Sequence, residues 1–167
     1  MTKVQDIKPL IKKIEQPITC HGISVRTNNL AETREDSAKL GSLWQSFYQS
    51  HVAKLTEAAD IYGIYHHYER DDTGDFDVVA AWAEGSYQGE PSDEKNELVT
   101  VTIPAGKYMV FSESGAMPDT VIDAWEKVWA YFNDPSCEHT RTYGVDFEQY
   151  LEGNLERGQV DLHIGIE

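Results

Sequence analysis

The sequence predicts an α+β fold of duplicated β-α-β-β units related by a pseudo-twofold axis, with antiparallel sheets that carry one main helix each. Three observations lead there. Two helical stretches, 30–55 and 116–134, are each preceded by an extended stretch and followed by two more. Trp44 and Trp125 lie 81 residues apart on the two helices, and the dipeptides Tyr62-Gly63 and Tyr143-Gly144 are also 81 apart. The segments FDVVAAW and VDLHIGI close the halves with Asp77 and Asp161 in matching places, 84 apart. Markers in register are what a duplication leaves behind, and helices laid on one face of an antiparallel sheet form a standard layered solution.

Taken in order, residues 1–14 read as a leader segment with some helical character, and 15–167 as one domain whose pseudo-repeats span about 15–85 and 97–167. ITCHGISVRTN (18–28) carries the β-branched residues of a strand. From Leu30 to about Leu55, apolar and aromatic residues including Leu40, Leu43, Trp44 and Phe47 recur at three- and four-residue steps, giving a helix one apolar face. IYGIYHHYE (61–69) and FDVVAAWAE (76–84) are strands flanking the turn signal RDDTGD, and 86–97 is a polar, acidic linker. Residues 98–114 are extended, divided by Pro104 and Gly106. AMPDTVIDAWEKVWAYFND (116–134) is the second helix, with Pro118 near its start and Val121, Ile122, Trp125, Val128, Trp129 and Phe132 on its inner face. DFEQYLEGNLERGQVDLHIGIE (146–167) is a terminal hairpin.

The formal net charge is −15, from 29 acidic and 14 basic residues in a chain of 167. Phosphate neutralisation needs a basic face, so neither nucleic acid nor an anionic membrane is an expected partner. No apolar run is long enough to span a bilayer, and the N-terminus lacks the apolar centre of a secretory signal, so a cytoplasmic protein is expected. Cys20 and Cys137 have no metal-site spacing. His66 and His67 are adjacent, and strand alternation sends such neighbours to opposite faces, so no metal site is expected. The common nucleotide, hydrolase and zincin motifs are absent, and no cofactor is expected.

IPAGKYMVF (103–111), the helix with Trp125, YGVDFEQY (143–150) and the closing DLHIGI (161–166) resemble the GyrI-like effector-binding domain family. The resemblance covers roughly 15–167. It implies paired β-α-β-β modules around an aromatic-lined pocket that holds a lipophilic cation against a buried glutamate. Stand-alone members encoded on mobile integron cassettes are the nearest kind. In many relatives the last strand ends acid–apolar–Tyr–apolar–Pro, whereas here His163 and Gly165 stand at the tyrosine and proline places. The family's regulators carry an upstream DNA-binding domain. About fourteen residues precede the first strand here, so no operator binding is expected.

The terminal hairpin raises the functional question, because its first strand sets Glu148 between Phe147 and Tyr150. If Gly153 faces Gly158 across the turn, Tyr150 opposes Asp161 and Glu148 opposes His163. Phe147, Leu162 and Ile164 then share the face under the helix, and Glu148, Tyr150, Asp161 and His163 share the other. That second face is either solvated or the wall of a pocket. In the pocket reading, Glu148 attracts a cation the more strongly as water is excluded, and aromatic walls add cation–π attraction. Candidate walls besides His163 are Trp44 and Trp125, either of which can equally be core, and Trp82 and Phe111, on the same terms. Tyr65 or Tyr68 faces the pocket, depending on whether the Tyr-Gly dipeptides or the turns are aligned.

The leading expectation is a receptor or sequestering module for a hydrophobic, cationic small molecule. The resemblance also implies two alternatives. One is a hydrolase of strained cyclopropane-bearing compounds using Glu148 and His163; the other is an acidic, gyrase-inhibitor-like interaction protein. The sequence does not set the oligomeric state.

Overall fold

A computed structural model describes residues 9–88 and 98–167. Eight strands, β1 (Leu10–Ile14), β2 (Ile18–Thr27), β3 (Ile61–His66), β4 (Phe76–Ala83), β5 (Leu98–Ile103), β6 (Gly106–Ala116), β7 (Asp146–Tyr150) and β8 (Arg157–Gly165), form one antiparallel sheet. The helices are the short α1 (Asn29–Glu32), α2 (Leu40–Ser50) and α3 (Asp119–Asn133).

The strand order β1-β6-β8-β7-β3-β4-β2-β5 is the duplication in spatial form. Exchanging β1 with β5, β2 with β6, β3 with β7 and β4 with β8 leaves it unchanged. Asp77 lies between Arg26 and His66, and Asp161 between Ser112 and Gln149, so the two aspartates stand on exchanged strands, β4 and β8. The Tyr-Gly marker does not hold: Tyr62-Gly63 is inside β3, while Tyr143-Gly144 precedes β7.

Each unit has a leading strand; that of the second, 98–103, was expected as the first part of the divided extended stretch, whereas that of the first was not. Residues 10–14, expected as leader, form β1 and pair with β6 of the second half; β5 pairs with β2 of the first. Each half thus lends a strand to the other. Residues 1–8 of the expected leader and 89–97 of the linker lie outside the described residues.

The helical stretch expected over 30–55 divides in two. Asn28 caps α1 by accepting the Ala31 N–H at 2.7 Å, and Glu32 accepts the backbone N–H groups of Lys39 and Leu40 at 2.9 and 3.2 Å. A carboxylate from the preceding helix therefore satisfies free donors at the start of α2, where its charge also suits the helix dipole.

Two residues, Pro104 and Ala105, join β5 at one edge to β6, second from the other edge. Three Cα steps reach at most about 11 Å, whereas six strand spacings across a flat sheet would be about 29 Å. The sheet is therefore rolled until its ends approach. Ile14, Val101, Ile103 and Tyr108 from the outer strands fill the inside of the roll against Tyr62, Ile64 and Phe147 of the middle ones. The helices cover the other face, with Leu43 and Phe47 of α2 and Val121, Ala124 and Val128 of α3 in its cores. None of the described helices is long and apolar enough to cross a membrane.

Candidate functional site

The hairpin register differs from the expectation by one residue. Tyr150 pairs with Val160, Glu148 with Leu162 and Phe147 with His163. Glu152 and Gly153 take left-handed backbones (φ +58° and +69°) in a short helical turn after β7, which removes Gly153 from the ladder. A slip of one residue exchanges the faces of a strand. Glu148 consequently points to the helix side with Leu162, while Phe147 and His163 point into the roll.

This register sets Glu148 under α2 and α3 at the centre of the sheet. β3 passes beside it with Gly63 directly opposite. A Cβ at position 63 would lie 2.6 Å from Glu148 Oε1 and 3.0 Å from the Trp44 ring, so only glycine leaves room for the carboxylate. Trp125 of α3 donates its indole N–H to Glu148 Oε2 at 2.7 Å, and the Tyr65 hydroxyl donates to the same oxygen at 2.9 Å. The Tyr150 hydroxyl donates to Oε1 at 2.9 Å. Glu148 is 2% exposed, and among the described residues it has no ion pair with any basic side chain. Burial raises its pKa above the ordinary carboxylate value, and the three donors partly offset that rise.

Above the carboxylate lies a cavity of about 930 Å3 walled mainly by aromatic and apolar side chains. Trp44, Tyr65, Tyr68 and Trp125, all expected as wall candidates, line it with Glu148. Trp125 packs on Tyr65 (centroids 4.9 Å apart), Trp44 meets Tyr150 edge-on (5.4 Å), and Phe76 lies 5.6 Å from both Tyr65 and Tyr68.

The alternative between Tyr65 and Tyr68 resolves as both. In an unbroken strand, residues three apart point to opposite faces. His67 has φ +53°, and that left-handed residue brings Tyr68 back to the cavity side. The same turn corrects the expectation for the histidines: the His66 and His67 rings stack, with centroids 3.9 Å apart, instead of diverging.

Three expected wall residues are elsewhere. His163 is buried on the far face, stacked on Phe147 at 4.1 Å and 10° between planes. Burial lowers its pKa to about 4, so it is neutral near pH 7. It cannot form an acid/base pair with Glu148. Trp82 belongs to the core with Phe47, His51 and Tyr87, and Phe111 to the core under α3 with Tyr131 and Phe132.

The sequence reading missed Tyr150 as a donor, Trp129 and Arg141 as wall residues, and the role of Asp146. Tyr150 follows Glu148 by two and Trp129 follows Trp125 by four, so periodicity carried both signals. Asp146, fully buried, accepts from Arg141 Nη2 at 2.8 Å, Tyr68 Oη at 2.5 Å and the Gly165 N–H at 2.9 Å. A proline at 165 would have no N–H to give.

The sequence model of the Cass2 family, described as integron-associated effector-binding proteins, matches residues 12–166. The chain belongs to this family. The fold is shared with the Vibrio cholerae integron cassette protein VCH_CASS2, at 37% identity over 95% of both chains and a TM-score of 0.80. A Staphylococcus aureus protein described as a putative bacterial transcription regulation protein has the same fold at 19% identity, covering 96% of this chain and 99% of that one, TM-score 0.68. So does SAV2435, solved bound to tetraphenylphosphonium, at 22% identity over 96% and 94%, TM-score 0.68. No curated protein matches the chain. Membership of the Cass2 family supports small-molecule binding and bears out the integron association that the resemblance implied.

Proposed function

We propose that this Cass2-family protein is a receptor or sequestering module of the GyrI-like type, and that its effector is a lipophilic organic cation seated over Glu148. The observation that carries the reading is a buried carboxylate supplied with three neutral donors and, among the described residues, no cationic partner, at the wall of an aromatic cavity. Neutral donors orient a carboxylate without cancelling its charge. A hydrated metal ion or ammonium would lose much of its solvation there, whereas a cation whose charge is spread over apolar groups gives up little. The indole and phenol faces supply cation–π attraction of roughly 0.5–2 kcal/mol each. The cavity is within the range of small-molecule sites, about 300–1,000 Å3. SAV2435 holds a cation of this chemical class in the same fold.

Calorimetry with tetraphenylphosphonium and the uncharged, similarly shaped triphenylphosphine oxide tests the reading. The cation is expected to bind more tightly, and Glu148→Gln to weaken it about ten- to a hundredfold, as for the loss of a charge-assisted contact. The neutral compound should lose far less. Asp161→Asn, on the opposite face, changes net charge equally and should leave both affinities unchanged. Equal losses in the two variants would reduce the effect to diffuse attraction and overturn the site.

A further inference from the structure

We infer that His66, His67 and Asp77 form a binding site for a divalent transition-metal ion of the zinc class, separate from the cavity. His66 ends β3 and lies directly opposite Asp77 of β4, so both side chains stand on one face of the sheet. His67 would point away from them in a continuous strand. Its φ of +53° turns its ring onto that of His66 instead, and the ligand atoms of all three residues then lie within 4.8 Å of one another. A non-glycine residue held in this conformation is uncommon, and such local strain gathers where side-chain geometry matters.

The donor set is two imidazoles and one carboxylate, which suits zinc, nickel or copper and not magnesium or calcium. His67 Nδ1 and Asp77 Oδ2 are 2.7 Å apart. Ligand atoms around a tetrahedral zinc ion with bonds of about 2.0 Å stand about 3.3 Å apart. An ion therefore enters by parting that pair slightly and drawing His66 inward, which rotation of the exposed His67 ring permits. Arg26 holds the opposite carboxylate oxygen, Oδ1, at 3.0 Å and the His67 carbonyl at 3.1 Å. It fixes the carboxylate's orientation and the backbone turn together while leaving Oδ2 toward the imidazoles. This is the work of a residue behind a metal ligand.

Titration of the full chain with Zn2+, followed by calorimetry, is expected to show one ion per chain with micromolar affinity or better, and none with Mg2+. His67→Asn, which tolerates the left-handed backbone, and Asp77→Asn should each weaken Zn2+ at least tenfold. Arg26→Gln should weaken it about tenfold while leaving one ion bound. In the unmutated chain, the imidazole NMR resonances of His66 and His67 should shift with Zn2+ while those of His21, His51, His139 and His163 hold still. Absence of Zn2+ binding, unchanged affinity in His67→Asn, or shifts confined to the other histidines would overturn the site.

Discussion

Asp146 and Glu148 are two buried acids on one strand and one face, two residues apart, and their surroundings are opposite. Asp146 meets the guanidinium of Arg141, a phenol and a backbone N–H. Glu148 meets a phenol on each oxygen and an indole N–H, all neutral. The first arrangement is complete in itself: charge is balanced inside the protein, and the pair ties the loop before β7 to the sheet. The second satisfies the hydrogen-bonding capacity of a carboxylate and leaves its charge unbalanced. Placed at the wall of a cavity, that imbalance is the feature on which the proposed cation site rests.

The largest expected effect comes from breaking the balanced acid. Arg141→Met should destabilise the fold by about 3–5 kcal/mol in chemical denaturation, because it strands a buried carboxylate. Adding Asp146→Asn should recover much of the loss, since the remaining amide keeps an acceptor for the Gly165 N–H. If the single variant cost less than 1 kcal/mol, Asp146 would not depend on its partner and the contrast with Glu148 would fail.

The unbalanced acid should respond in binding instead. Glu148→Gln is expected to remove about 1.5–3 kcal/mol of cation affinity with little change in fold stability, the reverse of the result at Arg141. Gly63→Ala sharpens the geometry of the same acid. Its Cβ intrudes on Glu148 Oε1 and Trp44 at once, and overpacking of this kind costs roughly 1–3 kcal/mol. A fall in both melting temperature and cation affinity is expected. A variant that bound as before would show that the carboxylate can move freely, contrary to its three fixed donors.

How much of this was legible in the chain depends on the range of the interaction involved. Strand and helix identities follow periods of two and 3.6, so the two units and their order could be read locally. The face of Glu148 relative to the helices could not, because a left-handed Glu152 shifts the hairpin by one residue, and glutamate does not advertise that backbone. The same holds for His67, whose turn brings Tyr68 to the cavity. β1 was missed because LIKKI lacks alternation, and its partner β6 lies in the other half. Trp44 and Trp82 are equally apolar in sequence; only the placement of α2 makes one a wall and the other core. Arg141 sits in a loop, where no period marks it.

The smallest expected effect concerns stability against pH, and it separates the two acids without any ligand. Burial raises the pKa of Glu148 in the folded state, so the folded protein holds the proton to higher pH than the unfolded chain does. Between the ordinary carboxylate value and the raised one, the unfolded state binds fewer protons, and folding stability falls as pH rises through that window. The contribution is fully present at acid pH and lost above the raised pKa. Glu148→Gln removes the titration. The amide can keep the geometry, its oxygen accepting from Trp125 and Tyr65 while its NH2 donates to the Tyr150 hydroxyl. The difference in unfolding free energy between variant and unmutated chain, followed from pH 4 to pH 8, should therefore move in favour of the variant as pH rises, by about 1.4 kcal/mol for each pH unit that the window spans. Because all other groups titrate in both proteins, their pH dependence cancels. A difference that moved the opposite way would mean that the donors outweigh burial, making Glu148 a stabilised anion with no unmet charge and removing the distinction from Asp146.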